Sequence, residues 1–291
     1  MTVNTMHYPS QRGFTLIELV MVIVLMGVIG GMVSVFMKSP IDAYFDSARR
    51  AGLTDVADTV LRRMGRDIRK ALPNSIRIAD SQCVEFIPTK TGARYRSDPG
   101  GAGDVLDFSQ SDGSFNMLGN NPAAPADQQI GAGDLIAIYN LGISGADAFA
   151  GDNTAAVSSA SPGAGSPPES LITFSAAKKF PLESPTKRFY VITATEKVVR
   201  YLCIDATGTN AQGHGNGTLY RQVLSLPLAE STTCPASVTG AAVMATNVSA
   251  CNFNYSGSDL QRNALISIKL QITEKNETVS LQHQVHVSNV P

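Results

Sequence analysis

Charge is sparse in this chain and neither sign prevails. Lys, Arg, Asp and Glu together make up 16% of the residues and leave a formal net charge of −1. A polyanion partner needs a stripe of cations that displaces condensed counterions, so nucleic acid is not an expected partner. Also missing are a C-x-x-C pair, a G-x-S-x-G turn, a defensible pair of catalytic carboxylates and any internal repeat. Zinc spacing, thioredoxin-like redox spacing and hydrolase chemistry therefore have no support. The chain reads as non-enzymatic and without a cofactor. Its 43% hydrophobic content over 291 residues still leaves enough apolar material for a sizeable core.

Four cysteines are present, Cys83, Cys203, Cys234 and Cys251. An even number fits two disulfides in an exported domain, and four cysteines allow three pairings. Cys234 with Cys251 closes the shortest loop among the later ones, which leaves Cys83 with Cys203 as the expected second pair.

What the chain does have is one long apolar run near its start. Residues 19–37 carry no charge, and a helix over residues 14–37 would reach roughly 36 Å, enough for a hydrocarbon core of roughly 30 Å. A cleavable secretory signal is shorter and ends in an A-x-A-like site, whereas this run ends in Met37-Lys38-Ser39-Pro40. The segment is expected to remain attached as a single membrane helix. Cations flank it on both sides, Arg12 and His7 before it and Lys38, Arg49 and Arg50 after it, so charge alone does not orient it. Glu18 is the exception inside the run. An unpaired carboxylate at the centre of a membrane helix costs about 2.5–3.5 kcal/mol, so Glu18 calls for a cationic partner. If the chain is cut after Gly13, the new α-amine of Phe14 lies one helical turn away, and a neighbouring copy offers the same amine at the same depth.

Arg12-Gly13-Phe14-Thr15-Leu16-Ile17-Glu18 resembles the type III signal of type IV pilins and type II secretion pseudopilins. The resemblance implies cleavage after Gly13 by a membrane aspartyl prepilin peptidase, N-methylation of Phe14 and docking between subunits through Glu18. One departure is Val35, where many pilins have a proline; here the nearest is Pro40. Any melting or kinking of the helix is therefore expected near Ser39-Pro40, because proline removes a donor and crowds the preceding turn.

Beyond the anchor, Leu53, Val56, Val60, Met64 and Ile68 recur at helical spacing, flanked by Leu61 and Leu72, and predict an amphipathic helix over 39–72. Asp58, Arg62, Arg63, Arg66 and Asp67 occupy the opposite face and read as a solvated surface. Arg69 and Lys70 suit a helix C-terminus, and Pro73 disfavours helix at Leu72. After Pro73, β-branched runs between Gly, Pro and Ser predict strands at 75–79, 83–87, 105–109, 134–140, 171–174, 188–193, 197–203, 218–224, 241–249, 251–255, 264–273 and 278–287. The last two alternate cleanly around Glu274-Lys275-Asn276-Glu277 and predict a hairpin. Residues 98–104 and 142–170 read as loops. The expected organisation is α+β: a leader over 1–13, a membrane or filament-core helix over 14–38, an amphipathic helix over 39–72 and a β-rich head over 73–291.

Few other residues suggest chemistry. Asp98, Asp104, Asp107 and Asp112 lack calcium-loop spacing, and His283 and His286, three apart in a strand, point to opposite faces. The glycine-rich stretch 213–217 reads as a hairpin turn, since no helix or Lys-Ser/Thr follows it.

In size and order the chain is similar to the J-type pseudopilins and W-type minor pilins, and over residues 13 to about 77 it resembles minor pilins of the mannose-sensitive haemagglutinin (MSHA) type. This implies a structural subunit in the bacterial inner membrane with its head in the periplasm, passing to a filament at the cell surface. The implied partners are other minor and major pilins, the prepilin peptidase and an inner-membrane assembly platform. A secretion pseudopilin whose head meets cargo and a tip adhesin with a glycan-binding head remain open beside it.

Overall fold

The computed structural model describes residues 13–163, 167–236, 238–256 and 263–291. The expected leader, including Arg12, lies outside them except for Gly13. One helix, α1 (Leu16–Ile68), opens the structure, and the residues divide into two compact units at Ala51/Gly52.

In the first unit α1 has no apolar partner among the described residues. Its side chains from Leu16 to Met37 are exposed all round, and the helix passes the length and composition required to cross a membrane. It also runs without a break through Pro40. The boundary expected at 38/39 is therefore not a helix end, although the proline still deprives the Phe36 carbonyl of an intrahelical donor.

In the second unit α1 becomes one-sided. Leu53, Ala57, Val60, Leu61, Met64, Gly65 and Ile68 are buried, the 3.6-residue recurrence of a helix lying on a sheet. Val56 does not belong to that stripe; it is 44% exposed, one residue and about 100° from Ala57, which takes the inward position. The helix also ends earlier than Leu72. Lys70 and Ala71 donate to Asp67 and Ile68 in a tightened last turn, after which Leu72 N–H donates to Ile87 O at 2.7 Å and Ala71 bridges Pro88. Sheet pairing captures the chain before the helix can use its last turn.

The head contains thirteen strands: β1 (Arg77–Asp80), β2 (Cys83–Phe86), β3 (Thr89–Tyr95), β4 (Asp112–Leu118), β5 (Leu135–Ile138), β6 (Thr154–Gly163), β7 (Glu169–Lys178), β8 (Arg188–Ile192), β9 (Val198–Ile204), β10 (Gly217–Leu224), β11 (Ala242–Ser256), β12 (Asn263–Glu274) and β13 (Glu277–Ser288). Seven of them form an antiparallel sheet in the order β1-β2-β9-β10-β11-β12-β13. Alternation decides its faces: Ala264, Ile266, Ile268, Leu270 and Ile272 of β12 point into the core that receives α1, while Lys269 faces water. The β12–β13 hairpin forms with Glu274 opposite Glu277, as its sequence predicts.

The other six strands close a barrel in the order β3-β4-β7-β6-β5-β8. The barrel is an insertion. β2 and β9 are direct neighbours, Phe86 facing Val199, yet the chain makes the whole barrel between them. Its core of Tyr95, Phe115, Ile136, Val157, Ile172, Phe174, Phe180, Phe189 and Val191 is separate from the one beneath α1. A third cluster, with Leu72, Ile87, Phe149, Ile192 and Val198, fills the junction between barrel and sheet.

Several expected elements change. Residues 142–170 are not all loop, since β6 runs through them, and 105–109 is irregular while the strand follows at β4. The two strands expected at 241–249 and 251–255 are one, β11, with a register shift between Val248 and Ala250 beside Asn247 at φ 57°.

A buried ionic knot fixes the barrel seam. Glu169 on β7 is 5% exposed; it accepts from Arg96 Nε at 3.0 Å and Asn116 Nδ2 at 2.7 Å, and a second oxygen meets Arg96 Nη2. The Arg96 guanidinium pulls the Glu169 carboxyl below its usual range, against the opposing effect of burial and with help from Asn116. A carboxylate whose folded pKa is depressed contributes stability above the unfolded value of about 4.3 and loses it as pH falls through the folded value. Glu169→Gln is thus expected to lower the melting temperature at neutral pH and to flatten its fall below about pH 4. An acid slope identical to that of the parent protein would show that the pair carries no linkage.

Candidate functional site

The segment expected to carry function, Gly13 to Glu18, stands at the free end of α1. Gly13 lies before the helix and is exposed, and a Cβ built on it meets nothing within 4 Å. Its φ is not in the left-handed region, so neither crowding nor backbone strain demands glycine there. Phe14 is 83% exposed, and Leu16 and Ile17 are exposed beside it.

Thr15 starts the helix. Its Oγ1 accepts from Glu18 N–H at 3.3 Å, and its carbonyl accepts from Leu19 N–H at 3.1 Å. Thr15 is therefore the N-cap and Glu18 the third helical residue, the spacing of a capping box. The sequence T-L-I-E carries that signal, which went unread beside the stronger one around it. Glu18 consequently has two roles open to it: a first-turn acid that complements the helix dipole, and an exposed carboxylate for an ammonium group outside the helix. The two are compatible, because the cap uses the Glu18 backbone and leaves its side chain free to reach.

Residues 8–34 match the family model of the prokaryotic N-terminal methylation motif. No curated protein and no solved structure matches the chain. The motif supports a type IV pilin-like or pseudopilin protein, and with it processing by a prepilin peptidase, assembly with other pilins and anchoring by the apolar helix.

The remaining sequence candidates separate in space or acquire structural partners. Asp98 Oδ1 accepts from Gly100 N–H, Asp104 Oδ2 accepts from Ser114 Oγ, and Asp112 Oδ2 accepts from Asp107 N–H. The Asp107 carboxyl lies below its usual range because Ser109 donates to it. Asp98, Asp107 and Asp112 cap turns, and Asp104 ties its loop to β4. His283 packs against Gly65, where an added Cβ would sit 2.7 Å from its Nε2, and His286 is exposed. Arg62, Arg66 and Arg69 line an open groove with Asp58, and Arg62 is paired with Asp58 at 2.6 Å.

The cysteines do not pair as expected. Cys203 on β9 is bonded to Cys251 on β11. Past Val248, its last residue paired with β10, β11 leaves that strand and runs against the segment that follows β9 and against the β1–β2 turn: Thr207 bridges Ala250, Gly208 N–H donates to Ser249 O at 2.8 Å and Phe253 N–H donates to Ser81 O at 2.7 Å, next to Gln82, whose carbonyl accepts from Cys203 N–H. Loop length was the wrong guide because sheet convergence sets the distance. Cys83 and Cys234 are left as thiols, and with Asp80 they make the one convergent group of three metal-type ligands among the described residues.

Sequence reasoning also missed the ionic contacts that tie α1 to the sheet. Asp67 Oδ2 accepts from Tyr201 Oη at 2.7 Å and Arg221 Nε at 3.0 Å, and Arg221 Nη1 donates to Glu196 at 3.0 Å. Burial, then Asp67, pushes the Tyr201 hydroxyl above its usual range. Arg200 and Glu85 face each other on β9 and β2 as a buried pair. Such partners become visible only once strand register is known.

The cap gives a direct test. Thr15→Ala is expected to weaken the first turn by about 1 kcal/mol, seen as faster amide hydrogen exchange at Glu18 in detergent micelles. Unchanged exchange there would show that the hydroxyl is not the cap.

Proposed function

We propose that the chain is a minor pilin of a type IV pilus, of the MSHA kind, which initiates, caps or supports a filament. The observation that carries this reading is the make-up of the α1 terminus. A glycine that the described fold does not require is followed by an exposed Phe14, a capped first turn with an exposed Glu18 carboxylate, and an apolar helix surface with no partner among the described residues. A peptidase that reads glycine explains the first feature, and a filament or bilayer around the helix explains the last. Glu18 then pairs with the α-amine of a processed Phe14, within the chain or from a neighbour, which removes the cost of an isolated carboxylate in an apolar medium.

The barrel supports a terminal position. It is added at the β2/β9 connection and enlarges the head beyond the sheet that covers α1. A few-copy subunit at a filament end tolerates such a module more readily than a repeated shaft subunit surrounded by copies. The same observation favours a second reading, a type II secretion pseudopilin whose inserted module meets cargo. Loss of secretion with pili intact on deleting the gene would select that second reading.

In this account the partners are other minor and major pilins, the prepilin peptidase and an inner-membrane assembly platform. The head lies in the periplasm before assembly and at the cell surface after it. The test is intact mass and N-terminal sequencing from cells with and without the peptidase, together with Glu18→Ala scored for piliation. The expected chain starts at a methylated Phe14 only where the peptidase is present, and Glu18→Ala loses piliation. An uncut terminus with normal pili would leave a simple anchored β domain.

A further inference from the structure

Cys83 and Cys234 sit together for no reason that the rest of the fold supplies. Cys83 opens β2, is 3% exposed and faces Leu202, the residue beside the bonded Cys203. Cys234 is half-buried in the connection at 225–241 between β10 and β11. Asp80 brings them to one place: its Oδ2 accepts from Cys234 N–H and its Oδ1 from Gln82 N–H, each at 2.7 Å. The two sulfurs and an Asp80 oxygen all lie within 4.8 Å of one another.

We infer that Cys83 and Cys234 form a second disulfide, which staples the β10–β11 connection to the first hairpin of the sheet. The alternative use of the cluster is a metal, but both Asp80 oxygens already accept backbone N–H groups and fix the turn at Gln82. That leaves two sulfurs facing each other, a set of two rather than the three or four ligands of a zinc site. Cys234 holds the Cys83 thiol below its usual range by a hydrogen bond that outweighs burial, while the same contact and burial push Cys234 up.

The oxidant is a protein or small-molecule disulfide. Half-exposed Cys234 is the thiol that an oxidant can reach; it gives its proton to solvent as it attacks one of the oxidant's sulfurs, forming a mixed disulfide and releasing the other sulfur as a thiolate. Cys83, as thiolate, then attacks Cys234 Sγ; the Cys83–Cys234 bond forms and the bond to the oxidant breaks, releasing its second thiolate. Two thiols of the chain lose two protons and two electrons, and the oxidant disulfide becomes a dithiol. Only the supply of oxidant in cells rests on the exported-head reading proposed above.

The test uses the full chain, quenched from cells with N-ethylmaleimide, denatured and digested without reduction. The expected map contains a Cys83–Cys234 cross-linked peptide beside Cys203–Cys251, and no alkylated cysteine. Alkylation at Cys83 and Cys234 with Cys203–Cys251 intact overturns the inference while leaving the export reading standing. If all four are alkylated, the export reading fails, and the same protein treated with oxidised glutathione decides the pairing: the cross-linked peptide upholds it and alkylation overturns it. Bound zinc that protects both thiols and is released by a chelator also overturns it. In Cys83→Ser, Cys234 is expected to turn from unreactive to fully alkylated before denaturation, and no change in that reactivity would contradict the bond.

Discussion

The head is organised by what the later part of α1 buries. Leu53, Ala57, Val60, Leu61, Met64 and Ile68 fill one face of the seven-stranded sheet, and the inward residues of β12 and β13 answer them at two-residue spacing. Gly65 leaves room for His283 on β13 within that contact. Burial of this kind is worth roughly 25 cal/mol per Å² of apolar surface, so a helix face of five large side chains and Ala57 outweighs any single polar contact nearby. The polar contacts fix position instead: Asp67, Tyr201 and Arg221 set the last turn of the helix against β9 and β10. The earlier part of the same helix has equally apolar side chains and, among the described residues, nothing to cover them, and this is what makes surroundings other than water a requirement of the molecule.

Once the helix and sheet are in place, the barrel follows as an addition at one connection. β2 and β9 keep their register across it, Cys83 facing Leu202 and Phe86 facing Val199. The sheet therefore has the topology of a simple antiparallel meander with one long excursion. The junction cluster around Phe149 and Ile192 joins the excursion to the sheet, and the Arg96–Glu169–Asn116 contacts hold its own closure. Bulky additions at a hairpin leave the parent sheet intact because they enter and leave through adjacent strand ends.

The sequence announced the terminal hairpin, the central strands β9 and β10, the apolar helix and the α+β class, all of which rest on local periodicity or long apolar runs. The motif at Gly13, Phe14 and Glu18 was equally legible, because its residue types are unusual in combination. What stayed hidden depends on contacts distant in sequence. Thr154-Ala155-Ala156-Val157-Ser158 has too few large side chains to declare a strand, and it becomes β6 because β5 and β7 pair with it. The end of α1 moved from 72 to Ile68 because Ile87 and Pro88 compete for the chain. The Cys203–Cys251 bond depends on where β11 leaves β10, after Val248, a feature of register that loop length does not encode.

The central claim is that the exposed apolar surface of α1 is buried in a bilayer or among other apolar helices. Membranes from cells producing the full chain, washed in alkaline carbonate and sedimented, test it most directly. The account predicts that the protein stays with the membrane pellet, or with sheared filaments, and is released from the pellet by detergent alone. Recovery of the intact chain as a monomer in the carbonate supernatant would contradict it.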